Sequence, residues 1–200
     1  MADWNQKMKH LMYKYGHLPF EFHDWIENFD FNNLDKETKK DQDSKLDRLK
    51  NQKRNVYPDD KVFVNVSTLK NNFSDHLFKY IDKELELDFP EAMISYFPPT
   101  PYESPGMITG WHKDSHEGYM ERNELSIAPS EKYEKIARYW VPLQDRKFGH
   151  YFEMTDETNN FILTDWRAGD VWRVFPKYPH VAASMGPSDR KLMIITGLIR

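Results

Sequence analysis

Trp111-His112-Lys113-Asp114 is the stretch on which the reading of this chain turns. On an extended strand side chains alternate with period two, so His112 and Asp114 share a face and Lys113 points the other way. One imidazole beside one carboxylate makes two-thirds of the facial triad of two histidines and a carboxylate, the donor set that leaves open positions on non-heme Fe(II). A third donor is available at His180, in a Pro-rich turn, and Arg190 follows ten residues later on the last strand. A His-x-Asp pair by itself is a weak motif. The order of these residues, and the strands around them, carry the weight.

The segments flanking the motif read as β. Strands are expected over 92–97, ended by Pro98-Pro99-Thr100-Pro101, and over 107–114, 136–143, 151–154, 161–163, 171–175, 181–184 and 191–199. Proline cannot donate to a ladder, which is why the first of these stops where it does. Arg167-Ala168-Gly169-Asp170 makes a tight turn into the strand over 171–175. About eight short strands separated by turns, with no long helix among them, suggest a sandwich or jelly roll. In that architecture strands distant in sequence face each other, so His180 can meet His112 and Asp114. The Pro-rich loop 98–105 and the long polar loop 115–134 are expected to frame the entrance, because loops on a rigid scaffold carry specificity.

The N-terminal 90 residues read as a supporting region. Aromatic spacing suggests a helix over 3–14 and another over 21–28. Residues 35–54 hold thirteen charges of mixed sign, the pattern of a solvated face. Residues 61–66 alternate and are β-branched, so they should form a strand. Ser67 then looks like an N-cap, and Leu69, Phe73, Leu77, Tyr80, Ile81 and Leu85 follow at helical spacing. The chain is thus read as one domain over 1–200, with 1–90 bracing a β core over 91–200.

Composition narrows the chemistry. A 200-residue chain can bury a core of its own. The net charge of −4 gives no electrostatic case for nucleic acid. No cysteine is present, so any metal must be held by nitrogen and oxygen donors. No secretory signal is visible and no run approaches the roughly 20 apolar residues of a membrane span, so a soluble cytoplasmic protein is expected.

Each candidate has a duller reading. His10, His17, His23, His76 and His150 are taken as ordinary core or surface histidines. His116 lies four residues from His112, as in a helical zinc site, but on a strand-and-turn reading it is a decoy. Arg190 begins a strongly apolar strand. A buried, unpaired guanidinium would cost several kcal/mol, so it needs either an internal acid or a bound carboxylate. Arg138, on the strand 136–143, is a second buried cation, balanced between a ligand and an internal salt bridge. Val141, Trp172, Val174 and Ile194 are expected to line the site.

Trp111-His112-Lys113-Asp114, then Pro179-His180, then Arg190, resembles the Fe(II)/2-oxoglutarate-dependent dioxygenases. Arg138-Tyr-Trp-Val-Pro-Leu-Gln-Asp145 and Asp165-Trp-Arg-Ala-Gly-Asp-Val-Trp172 add to the likeness, toward the prolyl hydroxylase and aspartyl/asparaginyl β-hydroxylase branch. The resemblance covers about residues 92–199. It implies a double-stranded β-helix, a distorted cupin-like jelly roll, with N-terminal helices packed on its larger sheet. It implies Fe(II) on His112, Asp114 and His180, and 2-oxoglutarate chelating that iron with its far carboxylate on Arg190. Tyr96 is a further candidate near the cosubstrate, and Arg138 would bind the same ligand or the substrate. With O2 as co-reactant, the implied reaction hydroxylates an unactivated C–H bond and releases succinate and CO2. One departure matters: aspartyl/asparaginyl hydroxylases typically lack the carboxylate ligand that Asp114 supplies, which favours a prolyl-type or amino-acid hydroxylase. The substrate is a small molecule or a peptide, and the oligomeric state is open.

Two other readings use the same residues. A cupin-like metalloprotein, an isomerase or keto-acid-independent dioxygenase, would give Arg190 an internal partner. A non-catalytic β-sandwich binding module would leave His112 and His180 far apart.

Overall fold

The computed structural model describes residues 9–19, 21–29, 62–69, 72–97, 99 and 107–200. The charged segment 35–54, the start of the helix expected over 3–14 and most of the Pro-rich loop 98–105 lie outside these residues. The elements run β1 (Met12–His17), α1 (Glu21–Asn28), β2 (Val62–Asn65), α2 (Asn72–Tyr80) and β3 (Leu87–Phe97). After these come β4 (Met107–Ile108), α3 (Glu117–Arg122), α4 (Lys132–Lys135), β5 (Ile136–Pro142) and β6 (His150–Thr155). The chain closes with β7 (Asn160–Ile162), β8 (Asp170–Val174), β9 (His180–Ser184) and β10 (Arg190–Ile199).

Two antiparallel sheets result. The larger has the order β1-β8-β5-β10-β3-β2 and the smaller β4-β9-β6-β7. This is the expected double-stranded β-helix. Period-two alternation gives the large sheet two buried faces. On β10, Leu192 joins Trp140, Phe152, Met154 and Ala182 between the sheets. Met193 and Ile195 join the cluster on the opposite face, with Leu77, Ile81 and Leu85. The apolar residues of α2 and the turn after it fall four apart, at Phe73, Leu77, Ile81 and Leu85, and so make one stripe that covers that face. Leu77 is fully buried there, and trimming it to alanine should cost about 2–5 kcal/mol.

Several expectations change. The helix expected over 3–14 is instead strand β1 where it is described: Met12–His17 pairs with β8, Met12 opposite Val174. Local aromatic spacing yields there to the unpaired edge of β8, because strand formation follows sheet context more than propensity. Ser67 does not cap a long helix. Asn65 caps a short 3₁₀ turn, its side-chain oxygen accepting from the Ser67 amide at 3.1 Å, and Leu69 is extended before α2 begins. The strand expected over 107–114 keeps its ladder only at Met107–Ile108, because the chain turns at Gly110, at φ 67°. It returns for an isolated bridge between His112 and His180. The loop 115–134 is not structureless, since α3 forms within it and α4 begins before its end.

Candidate metal centre

The bridge sets the geometry of the site. The amide of His112 donates to the carbonyl of His180 at 3.0 Å, and the amide of His180 donates back at 2.9 Å. The two imidazoles therefore leave the backbone side by side, with ring centroids 4.3 Å apart. Asp114 completes the group. Its Oδ1 lies 3.9 Å from His112 Nε2 and its Oδ2 lies 3.7 Å from His180 Nε2. One donor atom from each residue lies within 4.8 Å of the others, the spacing of a site able to hold a metal ion.

The tautomers suit that role. His112 Nδ1 faces the carbonyl of Gly110 at 2.9 Å, and His180 Nδ1 faces the carbonyl of Tyr178 at 3.0 Å. A carbonyl only accepts, so each Nδ1 carries the proton and each Nε2 keeps its lone pair toward the common centre. Burial pushes the Asp114 carboxyl up, but the Arg138 guanidinium and the nearby imidazoles outweigh it and hold the group below the usual carboxylate range. Burial lowers the His180 pKa, and neighbouring Asp114 only partly opposes this. All of this favours an ionised carboxylate and a neutral His180 imidazole at neutral pH, ready to coordinate. The backbone of Asp114 is fixed too: its amide donates to the carbonyl of Pro176 at 3.0 Å, and its carbonyl accepts from Tyr133 Oη at 2.8 Å.

Arg190 is 4% exposed, and its guanidinium stands 5.8 Å from the ring of Phe97. Burial alone pulls its pKa down to about 10, and among the described residues no acid pairs with it. It lines a narrow cavity of about 10 Å³ between the sheets with Trp140, Gln144, His150, Phe152 and Trp166. The rings of Trp140 and Phe152 also stand 6.2 and 6.1 Å from that of His180. The cavity and the metal group therefore share two walls. Two imidazoles and a carboxylate suit Fe(II), and a buried guanidinium with no acid among the described residues suits the far carboxylate of a dicarboxylic acid.

The other expected residues divide. Arg138 donates through Nη1 to Asp114 Oδ2 and through Nε to Thr196 Oγ1 at 3.4 Å. It thus takes the internal salt bridge rather than standing free for a ligand. Tyr96 does not line the cavity that holds Arg190. It sits opposite Lys191 in the ladder and packs in the helix-covered cluster. The neighbouring Phe97, opposite Arg190, takes the inward place, because adjacent strand residues point to opposite faces. The same alternation turns Val141 to the helix side, whereas Trp172, Val174 and Ile194 do pack between the sheets.

His116 stays outside the three-donor group, as the sequence suggests, yet it is buried, at 3% exposed. Neither ring nitrogen has a hydrogen-bond partner, and burial beside Arg138 brings its pKa down to about 3. His150 is a satisfied core histidine. Nδ1 accepts from the Lys147 amide at 3.3 Å, so Nε2 carries the proton toward the Asp189 carbonyl at 2.9 Å. Tyr133 had no signal in the sequence, since its hydroxyl meets a backbone carbonyl that only the fold brings near.

No protein-family model matches the chain, and no curated protein matches its sequence. Solved structures do match in fold. A prolyl-4-hydroxylase from Pseudomonas putida aligns over 97% of this chain and 96% of its own, at 12% identity and a TM-score of 0.52. The non-heme monooxygenase ThoJ, as its nickel complex, aligns over 98% of this chain and 77% of its own, at 13% identity and a TM-score of 0.53. An oxidoreductase of the 2OG-Fe(II) oxygenase family from Burkholderia pseudomallei aligns over 77% and 76%, at 10% identity and a TM-score of 0.50. Among the described residues no helix is long and apolar enough to cross a membrane. The chain has the double-stranded β-helix fold of the Fe(II)/2-oxoglutarate oxygenases, with a His-Asp-His group able to hold a metal ion.

Proposed function

We propose that this protein is an Fe(II)- and 2-oxoglutarate-dependent oxygenase that hydroxylates an unactivated C–H bond of an amino acid, a peptide side chain or another small molecule. Arg190 carries the reading: a cation with no acid among the described residues, in a cavity that shares Trp140 and Phe152 with the three-donor group. An uncompensated buried charge costs several kcal/mol. A keto acid chelating the metal at one end would bring a carboxylate to Arg190 at the other.

When bound, Fe(II) with 2-oxoglutarate and O2 supplies the oxidation, giving succinate, CO2 and the hydroxylated product, with one oxygen atom of O2 in succinate and the other in the product. The chain's own residues do the rest. His112 and His180 present Nε2 because Nδ1–H is tied to the backbone. Arg138 holds Asp114 ionised and aimed. Trp140, Phe152 and Trp172 keep water from the space between the sheets, where electrostatic contacts gain strength.

The test is anaerobic. Adding Fe(II) and then 2-oxoglutarate to the full chain should develop the visible charge-transfer band of the chelate, which neither component gives alone. In air, a panel of amino acids and peptides should raise succinate release above the uncoupled rate. A folded protein that gives neither signal overturns the proposal.

A further inference from the structure

A second cavity lies on the face of the large sheet turned away from the metal group. Strand register puts Arg173 of β8 opposite Tyr139 of β5 and Tyr13 of β1. All three share a face, and Tyr139 belongs to the helix-side cluster. Arg173 is 6% exposed. Its guanidinium carbon stands 5.1 Å from the Tyr139 ring and 5.3 Å from the Phe175 ring. Its Nη1 is buried and has no hydrogen-bond partner. Burial lowers its pKa, and the groups that oppose this are tyrosines, not carboxylates. The cation is held by ring faces and by a side-chain hydrogen bond with Tyr139.

Arg173 also forms part of a cavity wall. The cavity measures about 410 Å³ and is lined by Arg173 with Tyr13, Tyr15, Tyr133, Tyr139 and Phe175 among others, within the size range of small-molecule sites. Two acids, Glu86 and Glu134, and two further cations, Lys177 and Arg200, complete its polar wall. Arg200 is already paired with Asp82 and Asp88. With Arg200 set aside, Arg173 and Lys177 balance Glu86 and Glu134, so the wall accepts one negative charge on Arg173, whereas the two glutamates would repel a dianion. The aromatic walls favour a flat apolar body.

We infer that this cavity is a second ligand site, which takes a small aromatic monocarboxylate with its carboxylate on Arg173 and its ring among the tyrosines. The recognition is the paired N–H···O geometry that guanidinium and carboxylate share. It needs no metal and does not rest on the proposed oxygenase activity.

The test uses the full chain in EDTA, with benzoate as probe and inorganic phosphate as comparison, followed by saturation-transfer NMR and by tyrosine fluorescence. Benzoate should bind saturably and more tightly than phosphate. Arg173→Met should weaken it at least tenfold, and Arg190→Met, which alters the other buried cation, should leave it unchanged. Ile199 lines the cavity and is 44% exposed, so Ile199→Trp should narrow the space and weaken binding without touching the guanidinium. This second variant carries the test if Arg173→Met does not fold. Absence of saturable binding, equal affinity for phosphate, or loss in Arg190→Met with retention in Arg173→Met overturns the inference.

Discussion

Asp114 Oδ2 is shared between two partners: Arg138 Nη1 donates to it, and His180 Nε2 lies 3.7 Å away. The carboxylate that would coordinate a metal is thus also the counter-charge of a guanidinium. Arg138→Gln should lower the stability of the metal-free protein by about 1–3 kcal/mol, the pair being only partly buried. Mn(II) should narrow that gap, because the ion replaces the guanidinium as the positive partner. Urea denaturation with and without Mn(II) reads both. An equal loss in both conditions would mean that Arg138 does not act through Asp114.

Arg190→Met separates a structural arginine from a ligand-binding one. A buried cation without an acid is replaced at no cost, or with a gain of about 1–4 kcal/mol, by an apolar side chain of similar length. Hydrogen bonds to a charged group contribute about 1.5–3 kcal/mol, so 2-oxoglutarate affinity should fall roughly 10- to 150-fold. Metal affinity should hold. Calorimetric titrations of metal and then keto acid, beside a thermal melt, check all three. A variant that is destabilised and loses both ligands would mark Arg190 as part of the scaffold.

His150 predicts a pH effect. Burial, and then the charge of Arg190, lowers its pKa from 6.5 in the folded state. The unfolded chain therefore takes up a proton that the folded one resists, and stability falls as pH drops below about 6.5. The slope from this one group approaches 1.4 kcal/mol per pH unit while the folded imidazole stays neutral. His116 and His180 act in the same direction, so the informative quantity is a difference. His150→Gln should flatten the decline between pH 7 and 5 relative to the parent in urea titrations. Parallel slopes would show that His150 protonates as readily folded as unfolded.

Gly149 and Gly16 should respond oppositely to alanine. Gly149 sits at φ 84°, and a Cβ there would come within 2.4 Å of the Gly186 amide nitrogen. Gly149→Ala should cost at least about 1–2 kcal/mol. Gly16 has nothing within 4 Å of a Cβ, so Gly16→Ala should change the melting temperature little. Matching shifts for the two would refute the close approach of the Phe148–Gly149 and Met185–Gly186 turns.

The strands from β5 onward were legible because their alternation is dense and their turns are marked. The grouping of His112, Asp114 and His180 was legible because the first two are close in sequence and the third heads a strand. What escaped depended on partners. Met12–His17 is a strand because β8 offers it an edge, which no local pattern announces. The family resemblance points to Tyr96 and the strand over 136–143 to Val141, but each stands one residue out of phase with the inward face. A single step along a strand reverses the side chain, so the choice between Tyr96 and Phe97 had to wait for the register against Arg190. Arg138 was ambiguous for the opposite reason: its face was right, and only the nearness of Asp114 decided its partner.

The two peptide groups that tie His112 to His180 involve no metal. Chelation should therefore take away the ion without opening the cage, and a stripped sample should reload on mixing, with no refolding lag. A preformed cage would also be unselective: any divalent ion that tolerates two imidazoles and a carboxylate could occupy it, so a metal found in a purified sample would report on what was abundant during expression as much as on the proposed Fe(II).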